Sequence, residues 1–156
     1  MDLKDAEHLL VHLMNEHGLI KEGWFYRFGK SKRQFGSCNY LTRIITMSIP
    51  LTQLNSEEYV KDTILHEIAH ALTPHHHHDG VWKRKAMEIG CDGNRCYSDS
   101  VIQPPSDFVA TCPNCNKQYS YRKRRRNVAC GECCRTYNGG KYDVRFILQF
   151  QRKESN

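Results

Sequence analysis

One short run constrains this chain more than any other: Thr63-Ile64-Leu65-His66-Glu67-Ile68-Ala69-His70-Ala71-Leu72, an H-E-x-x-H pattern inside an apolar-periodic segment. On an α-helix, residues four apart lie one above the other on a single face, so His66 and His70 can grip one metal ion together. Zinc accepts imidazole nitrogens at about 2.0–2.1 Å, and a catalytic site keeps one position open for water. Glu67, next to that position, has the chemistry of a general base. Val60, Ile64, Leu65, Ile68, Ala69 and Leu72 supply the buried side of the helix, which leaves the histidines free of a packing role.

Three features follow the helix. Pro74 stops it, and His75-His76-His77-His78-Asp79-Gly80-Val81-Trp82 comes next. Asp79 reads as the cap of a further helix whose buried stripe is Val81, Trp82, Ala86 and Ile89, ended by Gly90. Two histidines compete to complete the metal site. An H-E-x-x-H-x-x-G-x-x-H pattern would select His76, but it requires a glycine where this chain has Thr73. His78 is favoured because it adjoins the capping residue of a rigid element, with His76 as the fallback.

Upstream, residues 2–17 read as a helix stopped by Gly18, with Leu3, Ala6, Leu10, Leu13, Met14 and His17 at spacings of three and four. Trp24–Phe28 and Arg43–Ser48 read as strands, and the connection between them is polar and basic around Phe35. The metal helix should begin at Asn55 or Ser56, either of which can cap it.

After Pro104-Pro105, a natural linker, the chemistry changes. Cys112-Pro113-Asn114-Cys115 and Cys130-Gly131-Glu132-Cys133 are two C-x-x-C knuckles, the spacing of a four-thiolate structural zinc site. Cys134 competes with Cys133 for the fourth place, and Asn116 stands where such knuckles often carry glycine. Cys38, Cys91 and Cys96 read as small buried or free thiols. Paired metal spacing points to a reducing, intracellular compartment rather than a disulfide scaffold. No signal-peptide pattern opens the chain, and no apolar run approaches the ~18 residues of a membrane span.

The formal charge of +6 over 156 residues is unevenly placed. From Ser106 onward there are 11 Lys and Arg against 4 Asp and Glu, a net +7, while residues 1–105 carry 12 against 13, a net −1. Between the knuckles lies Tyr119-Ser120-Tyr121-Arg122-Lys123-Arg124-Arg125-Arg126. Five consecutive cations can neutralise phosphates while Tyr119 and Tyr121 stack on exposed bases, which points to nucleic acid with single-stranded character. The tail Tyr142–Phe150 reads as a closing strand.

Taken together, Phe35-Gly36-Ser37-Cys38-Asn39, Ile44-Ile45-Thr46-Met47-Ser48, Asp62–Leu72 and His78-Asp79-Gly80-Val81-Trp82-Lys83 resemble the SprT-like (Spartan) metalloprotease family in order and spacing. The resemblance implies an α+β chain: a zincin-like metalloprotease core over residues 1–105, its metal helix packed with a small sheet, and a β zinc ribbon over residues 106–156. It implies metal-dependent proteolysis of proteins bound or crosslinked to DNA. In that family the third ligand is a histidine four residues before an aromatic, which places the role on His78 ahead of Trp82. One catalytic Zn²⁺ (His66, His70, His78, with Glu67 as base) and one structural Zn²⁺ (Cys112, Cys115, Cys130, Cys133) are thus expected. The rival is a non-catalytic nucleic-acid-binding protein with a structural H-E-x-x-H metal. A metal-dependent nuclease is disfavoured, since paired-metal phosphodiester chemistry commonly calls for a carboxylate cluster that the sequence does not display.

Overall fold

Asp2 starts the first element by accepting from the Lys4 amide at 2.8 Å, and α1 (Leu3–Glu16) turns Ala6, Leu10, Leu13 and Met14 inward before Gly18 ends it at φ 74°. The computed structural model describes residues 1–95 and 100–153, so Cys96 lies outside the described residues. The chain divides into two compact units, Met1–Pro104 and Pro105–Asn156. Each combines helix with a three-stranded sheet, the α+β class that the sequence predicts.

In the first unit the sheet order is β1 (Phe25–Gly29), β3 (Ile44–Ser48), β2 (Gly36–Asn39), with β1 parallel and β2 antiparallel to β3. The sequence does not reveal β2, because it sits in the polar, basic connection. Phe35 anchors that stretch at 1% exposure, its carbonyl accepting from the Ser48 amide at 2.8 Å. Trp24, expected within β1, precedes it as a buried residue. A short helix, α2 (Ile49–Leu54), follows β3 directly. Pro50 falls in its first turn, where the missing N–H is harmless, and the Ser48 hydroxyl accepts from the Leu51 amide at 3.2 Å.

The next helix, α3 (Glu57–Leu72), is central: nine of its 16 residues are buried, and α1, β2 and β3 pack around it. Neither expected cap acts through its side chain. Ser56 holds the N-cap position without a side-chain bond. Asn55 turns elsewhere, its amide donating to the Leu51 and Ile102 carbonyls at 2.8 and 3.0 Å and its oxygen accepting from the Ile102 amide at 2.7 Å. It ties the far end of the unit to α2. Asp79 does cap α4 (Gly80–Glu88), accepting from the amides of Val81 at 2.9 Å and Trp82 at 3.0 Å, and α4 also packs on α3. Val81 is 39% exposed rather than buried, because Trp82 and Ala86 define the inward stripe and Val81 lies about 100° round the helix from Trp82.

In the second unit β4 (Phe108–Thr111) pairs antiparallel with both β5 (Gln118–Tyr121) and β6 (Gln149–Arg152). A helix the sequence reading lacks, α5 (Gly131–Asn138), opens at the second knuckle. The closing strand also begins later than expected. Asp143 accepts from the Arg145 amide at 2.9 Å and winds Val144–Phe146 into a 3₁₀ turn before β6. Four of the seven buried hydrophobic residues in this unit are cysteines. So small an apolar core needs a staple, and four thiolates on one metal would supply it. Among the described residues no helix is long and apolar enough to cross a membrane.

The Asn55 tie makes a contrast that urea denaturation can measure. Asn55→Ala removes one buried hydrogen bond to Leu51 and two part-buried ones to Ile102 and should cost roughly 1–3 kcal/mol. Ser56→Ala removes no cap bond and should stay within about 0.5 kcal/mol of the parent.

Candidate metal centre and cleft

The two histidines of α3 rise from one face, and the loop after the helix brings a third to meet them. His78 Nε2 lies 3.0 Å from both His66 Nε2 and His70 Nε2. Four-coordinate zinc with nitrogen ligands at about 2.0–2.1 Å spaces them about 3.3 Å apart, so the three atoms need to open only slightly to hold it. The donor set fits the metal. Burial first, and the neighbouring imidazoles second, push His66 and His70 down to about 4, while burial first and the Arg95 charge second lower His78 as well. At neutral pH the three rings are therefore uncharged and their lone pairs available. The backbone of Asn94 beside His66 and that of His76 beside His70 act weakly in the opposite direction to burial.

Trp82 forms the floor. Its ring lies 4.7, 5.1 and 4.5 Å from those of His66, His70 and His78, and it is 1% exposed. His78 itself takes φ 57°, a left-handed conformation that costs a non-glycine residue roughly 1–2 kcal/mol. Asp79 holds the chain there through its cap bonds to α4. His76 is part of that clamp, its Nδ1 2.7 Å from Asp79 Oδ2, and so it is turned away from the converging nitrogens.

Glu67 sits beside the imidazoles at 6% exposure, and burial pushes its carboxyl up to about 8. A divalent cation nearby would act in the opposite direction. The strand β2 crosses directly over it: a Cβ added at Gly36 would stand 2.7 Å from both Glu67 Cγ and Oε1. Only glycine permits this approach. Together they line a cleft of 550 Å³ with Cys38, Tyr40, Asp62, His77, Asn94 and Arg95 on its walls. Cys38 and Cys91 are thiols pushed up to about 12, by burial first in each case. The structure also gathers Asp62, Cys91 and Asp92, a grouping invisible in the sequence, where Asp62 Oδ1 accepts from the Asp92 amide at 2.8 Å.

In the second unit the sulfurs of Cys112, Cys115, Cys130 and Cys133 converge, and Cys134 is not among them. Cys112 and Cys133 are 3.7 Å apart, as are Cys115 and Cys130, close to the ~3.8 Å that Zn–S bonds of about 2.3 Å produce in a tetrahedron. Asn116 takes φ 57° in the first knuckle, which explains how it replaces glycine there. Tyr119 directs its hydroxyl to Cys130 Sγ at 3.1 Å, and Tyr121 packs on Phe150 with centroids 4.9 Å apart, so both tyrosines lean on the core of the unit. Lys123–Arg126 are exposed in the loop after β5, and Arg122 is half-buried. Arg125 lies 5.8 Å from the Tyr121 ring centre. A groove of 430 Å³ joins Arg124, Arg125, Arg126 and Asn127 to the segment Ile147–Phe150.

The family model described as the SprT-like family matches residues 8–101, which include β1–β3, all of α2, α3 and α4, and His78. Among solved structures the chain is similar to the crystal structure of the metallopeptidase zymogen of Pyrococcus abyssi abylysin, at 22% identity and a TM-score of 0.47, over 58% of this chain and 83% of that one. No curated protein matches the sequence.

Metal analysis should find about two zinc ions per chain. Replacing Cys112 and Cys115 with serine should remove one and leave the other. His78→Ala should weaken zinc binding at the imidazole site by at least tenfold, whereas His76→Ala should weaken it less; equal losses would contradict the ligand assignment.

Proposed function

Because this chain belongs to the SprT-like family, we propose that it is a zinc-dependent endopeptidase that acts on proteins bound to DNA, held there by its second unit. The observation that supports hydrolysis is the buried Glu67 carboxylate set beside three converging imidazole nitrogens in an open cleft. A purely structural metal site has no use for an acceptor in that place.

In this reading His66, His70 and His78 hold the metal by Nε2. When bound, zinc supplies the Lewis acid for hydrolysis. Glu67 takes the proton of the attacking water and later delivers it to the leaving amine. Its dry surroundings keep the carboxylate a stronger base than an exposed one. Gly36 lets β2 press against Glu67 and hold its side chain in place, so that the base does not swing away from the reacting water. Trp82 and the cap at Asp79 keep the imidazoles in register.

Attraction for nucleic acid is assigned to the second unit, where the +7 charge resides. The groove beside Arg124, Arg125 and Arg126 supports contact with a phosphate backbone, and partial burial of Tyr119 and Tyr121 limits stacking to their outer edges. Single-stranded DNA is the proposed partner, because its phosphates follow a narrow groove and its bases are free to meet aromatic edges.

Three outcomes test the proposal. Glu67→Gln should lower kcat at least 100-fold on both a DNA-bound protein and a short unstructured peptide, with zinc content and DNA affinity unchanged. Gly36→Ala should retain zinc yet lower kcat by about tenfold or more, because the added methyl displaces the base. Replacing Lys123, Arg124 and Arg126 with glutamine should flatten the slope of log affinity against log salt by about two to three units. The same variant should cut DNA-bound protein poorly and the free peptide normally, since tethering acts through local concentration. Unchanged salt dependence would place the nucleic-acid contact elsewhere.

A further inference from the structure

Hydrolysis in this cleft would build negative charge at a point that none of the residues discussed so far meets from the protein side: the scissile carbonyl oxygen. Glu67 accepts rather than donates, and the imidazoles face the metal. Among the described residues, three buried side-chain polar atoms have no hydrogen-bond partner: the hydroxyls of Tyr40 and Thr52 and the indole nitrogen of Trp82. Of these residues Tyr40 alone lines the cleft. A buried donor left unpaired is costly, and such a group calls for a functional explanation.

The ring of Tyr40 is held. It follows β2 and opens a turn that the Asn39 side chain closes by accepting from the Thr42 amide at 3.1 Å. It stacks on His75 with centroids 6.3 Å apart and meets His77 edge-on at 6.5 Å. Burial first, then Cys38 and Glu67, hold its phenol above the ordinary range, so the hydroxyl keeps its proton and stands near enough to the base to feel its charge.

We propose that Tyr40 is a further catalytic residue, its hydroxyl donating a hydrogen bond to the scissile carbonyl oxygen as that oxygen becomes charged. The inference rests on the protease reading. The water oxygen bonds to the carbonyl carbon, the π pair moves onto the carbonyl oxygen, and the water's proton goes to Glu67. Collapse restores the carbonyl, the C–N bond breaks, and the nitrogen takes the proton from Glu67. Tyr40 remains protonated throughout. Its hydrogen bond strengthens as charge develops, which is the differential binding that lowers a barrier.

Tyr40→Phe deletes the hydroxyl alone. Turnover of a fluorogenic peptide should show kcat falling about 10²–10³-fold with KM within threefold of the parent. Zinc per chain should be unchanged, and the metal-free melting temperature should be no lower, because the lost group had no partner. A phosphinic peptide, whose P–O⁻ imitates the charged oxygen, should bind the zinc-loaded variant at least tenfold more weakly by calorimetry. A kcat within threefold of the parent overturns the proposal, as does loss of zinc, a lowered melting temperature with intact kcat, or equal phosphinic-peptide affinity. If the parent chain shows no Glu67-dependent cleavage, the protease reading fails on its own account, and phosphinic-peptide affinity still decides whether Tyr40 reaches the oxyanion position.

Discussion

Desolvation of α3 sets the terms for the first unit. A helix packed against by α1, α4, β2 and β3 carries two imidazoles and a carboxylate into surroundings poor in water. Burial drives each of these groups toward its uncharged form, His66 and His70 to about 4 and Glu67 to about 8. Three neutral rings with nitrogens 3.0 Å apart then face one another, an arrangement that repels itself unless a proton or a cation stands between them. The apolar packing of the helix and the chemistry of the cleft are thus one arrangement: the same neighbours that bury Ile64 and Ile68 keep the histidines ready for a metal.

The second unit solves a different problem. Its apolar core is too small to hold three strands and a helix by burial alone, and cysteine sulfurs make up much of it. Cross-linking through one metal would free the surface from packing duties. Exposed arginines can therefore be concentrated there with little conflict, since the strands beneath do not depend on apolar faces at those positions.

Legibility in the sequence followed the strength of local rules. The helix α3 announced itself through its period, α4 through the Asp79 cap, and the ribbon through its paired cysteines. The strand β2 stayed hidden because its one strong anchor, Phe35, lies just outside it and because Gly36 answers to Glu67, a residue 31 positions away in the chain. Asn55 looked like a cap because it is one by type. Its actual partners at residue 102 belong to a segment that no local pattern connects to it. Val81 lies a single helical step outside the buried stripe, and Asp143 redirects a tail whose composition suits a strand. Tyr40 gives no signal at all in the sequence, since an unpaired hydroxyl can be recognised only after every other donor has found its acceptor.

The left-handed turn at His78 sets the three imidazoles on unequal footings. His66 and His70 ride on a buried 16-residue helix, and releasing either would mean opening the core. His78 stands on a short loop whose strained backbone favours departure, restrained by Asp79 and the Trp82 floor. Local opening of such a loop requires far less free energy than global unfolding. A metal held in this way would rest on two ligands fixed by the core and on a third set by a loop turn.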